Sequence, residues 1–252
     1  MGARDNKTRK VLDYLESGLA DINPSLVLSL GVGSALKKGE DAFATGMRYN
    51  HTTLSECAFA SAVDSLVAVK ELVYGEGGRG GEGGMSLTEL GEILAKNWEG
   101  HEELRLRMAR SHRKWGCGNE ETDRLAREVL EKFTGRFVGL PNARGGKYVC
   151  YGLNARGYIN GGRATGATPD GRKAGEELSK NMAPAIGGDA ESITAVLKSW
   201  RTSVDPAFFP CGLVFDVMLH SSSVAGEKGL VALRAICEEY FANGGCGLNL
   251  NI

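Results

Sequence analysis

The residues best suited to nucleophilic or metal chemistry in this 252-residue sequence are six cysteines and four histidines. No two cysteines form a C-x-x-C pair, and the histidines lack the spacing of zinc ligands. The cysteines also fall in different predicted elements, which favours reduced thiols over a disulfide framework. We therefore expect neither a metal site nor a disulfide at these residues: Cys57, Cys117, Cys150, Cys211, Cys237, Cys246, His51, His101, His112 and His220.

Cys117 stands between two glycines near the start of a predicted helix, where the helix terminus would lower the pKa of a thiol. No general base lies beside it in the sequence, which a cysteine nucleophile would need. The favoured interpretation is a linker cysteine.

Asp216 and His220 lie four residues apart on, or just after, a predicted strand. Residues four apart on a strand share a face, so an acid–base pair is geometrically possible. The alternative is a histidine that is simply hydrogen-bonded at a strand end, and this alternative is preferred.

The run GEGGRGGEGG, residues 75–84, has the glycine content of a phosphate-cradling loop. A P-loop, however, needs Gly-Lys-Ser/Thr leading into a helix, whereas Met85 and Ser86 follow this run. A surface loop between helices is therefore the favoured interpretation.

The composition argues against nucleic-acid and membrane partners. Thirty basic and 31 acidic residues leave a net charge of −1, and no apolar run approaches the length of a membrane span. The N-terminal MGARDNKTRK is charged throughout and does not resemble a signal peptide. We expect a cytoplasmic protein.

The first half of the sequence predicts helices. Apolar residues at helical spacing indicate an amphipathic helix over Thr8–Ile22 and a longer helix over Thr53–Tyr74, and the segment between them reads as a short buried helix or strand ending at Gly39. Ser86 and Glu89 form a capping-box pattern that starts a further helix at Leu87. Two more helices are predicted in HEELRLRMARSHRKW and NEETDRLAREVLEKF.

After Pro141 the pattern changes to strands alternating with helices. The runs KYVCYGL, CGLVFDVMLH and CGLNLNI have the apolar, β-branched character of strands. Helices are predicted between them over Glu191–Trp200, with Asp189 as a candidate cap, and over Gly226–Phe241. This alternation indicates an α/β fold with helices packed around a mainly parallel sheet.

The segment ATPDGRKAG contains a turn with a clear physical basis. Pro169 presets φ, Asp170 can bond back to the backbone, and Gly171 accepts positive φ. Arg172 can reach carbonyls or a carboxylate and lock the loop. These properties by themselves predict a rigid turn and no catalysis.

Five segments, in order, resemble the glycyl radical enzyme family, which contains pyruvate formate-lyase and the radical diol dehydratases. They are GEDAFATGMRYN, AVDSLVAVKELVY, KWGCGNEETDRLA, GATPDGRKAGEELSKNMAPAIGGD and DVMLHSSSVAGEKGLVALRAICEEYFANGGCGLNLNI. The resemblance implies part of a ten-stranded α/β barrel, here incomplete. It also implies one partial pyruvate formate-lyase-like domain over residues 1–252, mainly helical over 1–140 and strand–helix–strand over 141–252, with the TPDGR turn in the second part.

The two reacting loops of the family are not found in the 252 residues. The family carries its radical on a glycine in an R-V-x-G-[YF] loop and its thiyl radical on a cysteine in a Gly-Cys-x-Glu-type loop, and neither motif occurs here. Glu56-Cys57 has the wrong order and falls in the predicted helix, and Cys117 falls in the wrong segment. No catalytic residue is therefore assigned.

The resemblance implies a few residues near a substrate. Tyr158 and Asn160 are candidates for lining it, and the alternative for Tyr158 is a core aromatic with a hydrogen-bonded hydroxyl. Thr168, Pro169, Asp170, Gly171 and Arg172 are expected to support the site as a scaffold near it.

Three hypotheses follow from the resemblance. The chain is a portion of a lyase or dehydratase, or of an acyltransferase like pyruvate formate-lyase, that splits a C–C, C–O or C–N bond of a small metabolite in anaerobic metabolism and is inactive alone. Alternatively, it is one subunit of a split enzyme whose partner chain supplies the missing barrel parts, or a non-catalytic binding or scaffold protein. The complete enzyme is expected to be a homodimer that binds no cofactor and whose glycyl radical is installed by a radical S-adenosylmethionine activase.

Overall fold

The computed structural model describes residues 3–75, 84–185 and 191–252. Its helices and strands alternate in the second half of the chain, which confirms the α/β class. The described helices are α1 Ala3–Ser17, α2 Leu19–Ile22, α3 Leu26–Gly31, α4 Gly33–Lys38, α5 Phe59–Val69, α6 Leu87–Ala95, α7 Glu102–Ala109, α8 Glu120–Thr134, α9 Gly157–Ala164, α10 Ile193–Ser203 and α11 Gly226–Ala242, and the described strands are β1 Thr52–Ser55, β2 Tyr148–Tyr151, β3 Phe215–Met218 and β4 Leu248–Asn251.

The chain forms two compact units, the first comprising Met1–Leu54 with Lys132–Tyr151. In this unit polar contacts tie α1 to the strands. The Tyr148 hydroxyl donates to Asp13 at 2.8 Å, and the Thr52 hydroxyl donates to Glu16 at 2.6 Å. Asn142 donates to the Asn50 carbonyl at 2.6 Å. These hydrogen bonds join α1, β1 and β2 and the loop before β2 within the first unit.

The second unit comprises Ser55–Glu131 with Gly152–Ile252. Its strands β3 and β4 pair in parallel, with Phe215 opposite Leu248. Helices α10 and α11 cover one face of this pair through Trp200 and Tyr240, whose rings lie 6.1 and 5.5 Å from the ring of Phe215. The three side chains are at most 1% exposed, so this aromatic cluster fixes which face of the strands meets the helices.

A second apolar cluster in the same unit joins α5, α6 and α7. Its members are Ala68, Leu72, Val73, Leu90, Ile93, Trp98 and Met108. The start of α6 confirms the predicted capping box, because the Ser86 hydroxyl accepts from the Glu89 amide at 3.1 Å and the Glu89 carboxylate accepts from the Ser86 amide at 2.7 Å.

The predicted helix over Thr53–Tyr74 is wrong in its first part. Thr52–Ser55 form strand β1, because the Thr52 amide donates to the Lys147 carbonyl at 3.0 Å. Helix α5 begins only at Phe59, after Ala58 in the left-handed conformation at φ +65°. Glu56 and Cys57 therefore lie in a loop and not inside a helix. The π-helical turn Lys70–Tyr74 continues α5 to the predicted end.

The expectation of burial for the segment after Asn23 is also wrong. It forms the two short helices α3 and α4, and Val27 is 87% exposed. Polar contacts hold the segment in place, because Asp41 accepts from the Ser25 amide at 2.8 Å and from the Ser29 hydroxyl at 3.0 Å.

Helix α10 starts at Ile193, and its cap is Ser192, whose hydroxyl accepts from the Ala195 amide at 3.1 Å. The candidate cap Asp189 lies outside the described residues, as does most of the GEGGRGGEGG run. Helix α9 was not predicted, because three of its eight residues are glycines, which disfavour helix. None of the described helices is both long and apolar enough to cross a lipid bilayer.

Candidate functional site

The two faces of the parallel strand pair β3–β4 differ in how deeply their side chains are buried. Side chains alternate along a strand, so Phe215 and Val217 point to the helices and are 0% and 4% exposed. Asp216 and Met218 point to the opposite face, where Met218 is 72% exposed. In an α/β barrel the face turned away from the helices is the interior of the barrel. The polar residues of β3 and β4 are therefore candidates for an interior wall.

The carboxylate of Asp216 is the centre of a polar cluster on that face. Its Oδ1 accepts from the Lys180 ammonium at 2.9 Å and from the Asn249 amide at 3.0 Å. Its Oδ2 accepts from the side-chain amide of Asn181. The side chain is only 8% exposed, whereas that of Lys180 is 42% exposed. Three donors thus hold this carboxyl group at the edge of a cavity.

Asn181 links this cluster to helix α9. Its Oδ1 accepts from the Asn154 backbone amide at 2.8 Å, and the Asn154 side chain accepts from the Tyr158 amide at 3.0 Å. Asn181 adopts φ +47°, a conformation that asparagine tolerates better than most residues. A continuous series of hydrogen bonds therefore runs from Asn249 on β4 through Asp216 to the start of α9.

A cavity of about 470 Å³ opens beside the cluster, within the size range of small-molecule sites. Tyr158 lines it and is half-buried, whereas Asn160 is exposed and is not one of the residues that line it. The lining residues are Tyr158, Glu177, Leu178, Ser179, Lys180, Ala183, Pro184, Ala185, Asp216, Met218 and Asn251.

The TPDGR turn is rigid because its polar groups are satisfied within the second unit. Arg172 donates to the carbonyls of Glu176 at 2.6 Å, Thr165 at 3.2 Å and Gly166. Its neighbour Gly171 donates to the Thr168 carbonyl at 3.2 Å. The guanidinium therefore binds carbonyls, one of the two partners that the sequence analysis allowed.

Hydrogen bonds within the turn also fix Thr168 and Asp170. The Thr168 amide donates to the Arg172 carbonyl at 3.0 Å, and the Thr168 hydroxyl donates to the Asp170 carboxylate. Asp170 is 4% exposed. Pro169 occupies the corner between them, where its fixed φ suits the turn.

His220 does not meet Asp216. The histidine is exposed, and its Nδ1 lies 2.7 Å from the Ser222 hydroxyl at the start of a short 3₁₀ turn. The strand ends at Met218, so the period-two alternation on which the acid–base pair depended does not reach residue 220. The structure therefore favours the hydrogen-bonded histidine.

Neither thiol considered above is activated. Burial, with the charge of Asp64 beside it, raises the pKa of Cys117 to about 11, which reverses the expected effect of a helix terminus. Burial and the Glu56 charge raise the pKa of Cys57 as well. Among the described residues, no group of three or more His, Cys, Asp and Glu side chains is placed to hold a metal ion.

Sequence reasoning missed Lys180, Asn181 and Asn249. Their segments were quoted only as a polar run and a strand, and nothing in the spacing of the three residues links them. Asp216 was noticed for its distance from His220, whereas its actual partners are 35 and 36 residues earlier and 33 residues later in the chain. The only available signal was a charged residue inside an apolar strand.

Comparison with known proteins shows which family this chain is similar to. Residues 7–158 match the pyruvate formate lyase-like family. Over 238 residues the chain is 27% identical to trans-4-hydroxy-L-proline dehydratase from Clostridioides difficile, covering 94% of this chain and 29% of that protein.

Two solved structures show the same similarity. The B12-independent glycerol dehydratase from Clostridium butyricum, with glycerol bound, gives a TM-score of 0.82 at 29% identity over 94% of this chain and 29% of that one. A glycyl radical enzyme from Archaeoglobus fulgidus gives 0.82 at 29% identity, over 98% and 31%. The chain thus spans under a third of the length of the relatives it matches.

Proposed function

The chain belongs to the pyruvate formate lyase-like family of glycyl radical enzymes, and from that premise we propose that it forms part of the wall of the reaction chamber in a radical lyase or dehydratase. The observation that carries the proposal is the Asp216 cluster. It lies on the face of β3 and β4 turned away from the helices, in a fold similar to those of two dehydratases.

The substrate proposed for the whole enzyme is a small polar metabolite whose C–O, C–N or C–C bond is cleaved. The names of several relatives support this class, including dehydratases of hydroxyproline and sulfopropanediol and a lyase of isethionate. Lys180 and Asp216 would offer such a molecule a donor and an acceptor side by side, and Tyr158 would close the cavity with its ring. Asn160 remains a weaker candidate, because it lies outside the lining of this cavity.

No radical step is assigned to a residue of this chain. The 252 residues contain no R-V-x-G motif that could carry the glycyl radical and no Gly-Cys-x-Glu loop that could carry the thiyl radical. In the proposed enzyme both loops come from other sequence, in the same polypeptide or in a partner chain, and a radical S-adenosylmethionine enzyme installs the glycyl radical. The residues described here would bind and orient the substrate.

The proposal is tested by tagging this chain in its anaerobic host and purifying it without oxygen. We expect peptides with an R-V-x-G motif in mass spectra of the purified material, and a glycyl radical signal in electron paramagnetic resonance after treatment with the activase. Their absence, with the chain recovered alone at 252 residues, would contradict the enzyme proposal and favour a scaffold protein.

The role of the cluster is tested in the same activated material. Asp216→Asn should lower turnover by about 10-fold or more, because it removes the charge that holds Lys180 in place. Asp21→Asn, the same substitution at an exposed position on α2 outside the cavity, is the matched control and should leave turnover nearly unchanged. Equal turnover by the two variants would show that Asp216 has no role in the reaction.

A further inference from the structure

A second cavity of about 600 Å³ lies in the second unit and is not used by the proposed function. Helix α5, helix α7, helix α9 and the TPDGR turn contribute its walls. We call it the Lys114 cavity and define it by its polar lining residues Ser61, Arg105, Lys114, Arg163, Asp170 and Ser179. The rest of its lining consists of the charged residues Arg172, Glu176 and Glu177, the glycines Gly171 and Gly175, and the apolar residues Ala109, Ile159, Leu178 and Ala185.

Three of the sequence segments that carry the family resemblance meet at or beside this cavity. Asp64 and Ser65 come from AVDSLVAVKELVY, Lys114 from KWGCGNEETDRLA, and Asp170 from the TPDGR turn. The Ser65 hydroxyl donates to Asp170 at 3.4 Å, and Asp64 accepts from the Trp115 amide at 2.8 Å. The sequence alone gave no reason to place these segments together.

Lys114 is the unusual residue of the cavity. It is only 5% exposed, and its ammonium has no hydrogen-bond or ion-pair partner among the described residues. A buried ammonium without a partner is costly, so it is normally compensated by an anion or by several hydrogen bonds. The residue lines the Lys114 cavity and also a void of about 10 Å³ that Asp64 lines.

The nearby carboxylates compensate this charge incompletely. Burial raises the pKa of Asp64 to about 7 against the opposing effect of Lys114, so this carboxyl group holds its proton to a higher pH than an exposed aspartate does. Its Oδ2 has no partner among the described residues. Asp170 already accepts from Thr168 and Ser65.

The other cationic side chains of the cavity differ in whether they already have hydrogen-bond or ion-pair partners. Arg105 is held by both oxygens of Glu102, at 2.9 and 2.6 Å, and Arg172 by backbone carbonyls. Arg163 is exposed at the rim and has no partner among the described residues. The acidic residues of the rim, Glu176 and Glu177, are exposed. Solvent therefore screens the repulsion that their charges would exert on an anion inside the cavity.

We propose that the Lys114 cavity binds a small metabolite with an oxyanion group, a carboxylate, sulfonate or phosphate, through the Lys114 ammonium and the Arg163 guanidinium. The volume suits a small molecule. The lining is mostly polar, and its Lys and Arg side chains outnumber its Asp and Glu side chains four to three, which favours an anionic ligand. This site differs from the Asp216 cavity, although Ala185 and residues 177–179 line both cavities. The proposal does not depend on the radical chemistry.

The test is a titration of the 252-residue chain with inorganic sulfate, replacing chloride at constant ionic strength and pH 6.5. Binding is followed by calorimetry and by amide chemical shifts in nuclear magnetic resonance. We expect saturable binding with shifts at the amides of Ser61 and Ser179, which lie on the cavity wall and bond to each other's hydroxyls at 3.1 and 2.8 Å.

Three variants decide the assignment. Lys114→Met keeps the length of the side chain and should weaken sulfate binding about 10-fold or more, the effect of losing one charge-assisted contact. Arg163→Gln lies at an exposed position, so it folds even if the buried variant does not, and should weaken binding about threefold. Lys198→Met removes an exposed charge outside the cavity and should change nothing.

The proposal is overturned if the wild-type chain shows no saturable sulfate binding, or if the shifts fall outside the cavity wall. It is also overturned if Arg163→Gln binds as tightly as Lys198→Met and folded Lys114→Met does the same. None of these results bears on the purification test of the radical lyase, so the two proposals fail separately.

Discussion

Gly171 shows how a single residue fixes the TPDGR turn. Its φ is +93°, and a Cβ placed there would lie 2.6 Å from both the Ala109 nitrogen and the Arg105 oxygen. Both the backbone conformation and the space beside it therefore require glycine. Two nearby glycines allow the effect of backbone strain to be separated from that of steric contact. Gly175 has φ +82° with open space around it, and Gly166 has open space without positive φ.

We expect Gly171→Ala to lower the free energy of unfolding by about 2–5 kcal/mol, since it adds a steric clash to backbone strain. Gly175→Ala should cost about 1 kcal/mol from strain alone, and Gly166→Ala less than about 0.5 kcal/mol. Urea denaturation of the three variants measures the series. Equal costs at Gly171 and Gly175 would show that the turn moves away from α7.

Glu56 is a buried acid that titrates far from its usual range. Burial raises its pKa to about 8, and its Oε2 has no partner among the described residues. The folded state therefore holds a proton that the unfolded chain releases above its ordinary pKa of 4.5. Stability must fall as the pH rises from about 4.5 to 8, by up to about 1.4 kcal/mol per pH unit.

Glu56→Gln should remove this dependence, because the amide mimics the protonated acid. We expect the variant to match the wild type at pH 4.5 and to exceed it in unfolding free energy at pH 8. Urea denaturation at both pH values checks the prediction, and Glu92→Gln, at an exposed position on helix α6, is the control. A parallel pH dependence in wild type and Glu56→Gln would show that Glu56 is ionised in the folded state.

At the scale of elements, local signals decided some helix boundaries. The capping box of Ser86 and Glu89 lies within four residues of sequence, and the structure starts α6 where that pattern predicts. We expect Ser86→Ala to destabilise the chain by about 1 kcal/mol, whereas Ser86→Asp keeps a side-chain acceptor and should cost less than half of that. Thermal unfolding compares the two, and equal losses would mean that the cap does not support the helix.

Strand β1 shows the opposite case. Thr52–Ser55 continue the helical apolar spacing of the following segment, but the backbone of Thr52 bonds to Lys147, which lies 95 positions later in the chain. A long-range hydrogen bond overrode the local periodicity, as tertiary contacts commonly do.

At the scale of the whole molecule, many large apolar side chains of the described residues are exposed to solvent. On α11, Leu230 and Val231 are 65% and 68% exposed. The chain spans 29% of the length of its dehydratase relatives, and in the proposed enzyme these side chains would be buried against further sequence.

The isolated chain should consequently self-associate. Replacing Leu230→Glu and Val231→Lys together should weaken this association about 10-fold or more, since burying one such side chain is worth about 1.5–3 kcal/mol. Sedimentation velocity measures the effect, with Leu87→Glu, at an exposed apolar position on α6, as the control. A monomeric wild type at high concentration would contradict the prediction.

The sequence by itself determined the family, the α/β class and most helices of the second unit. Family segments, apolar periodicity and caps are all properties of neighbouring residues, and α8, β2 and α11 appear where those patterns predict. The TPDGR turn belongs to the same class, because proline, aspartate and glycine fix its backbone locally.

Only the tertiary structure decided the two cavities. Asp216 meets Lys180, Asn181 and Asn249 because a parallel strand pair and a loop bring them together across more than 30 positions. Lys114 lies near Asp64 and Asp170 for the same reason. Hydrogen bonds and charges act over a few ångströms of space, and no periodicity along the chain encodes which distant residues will share that space.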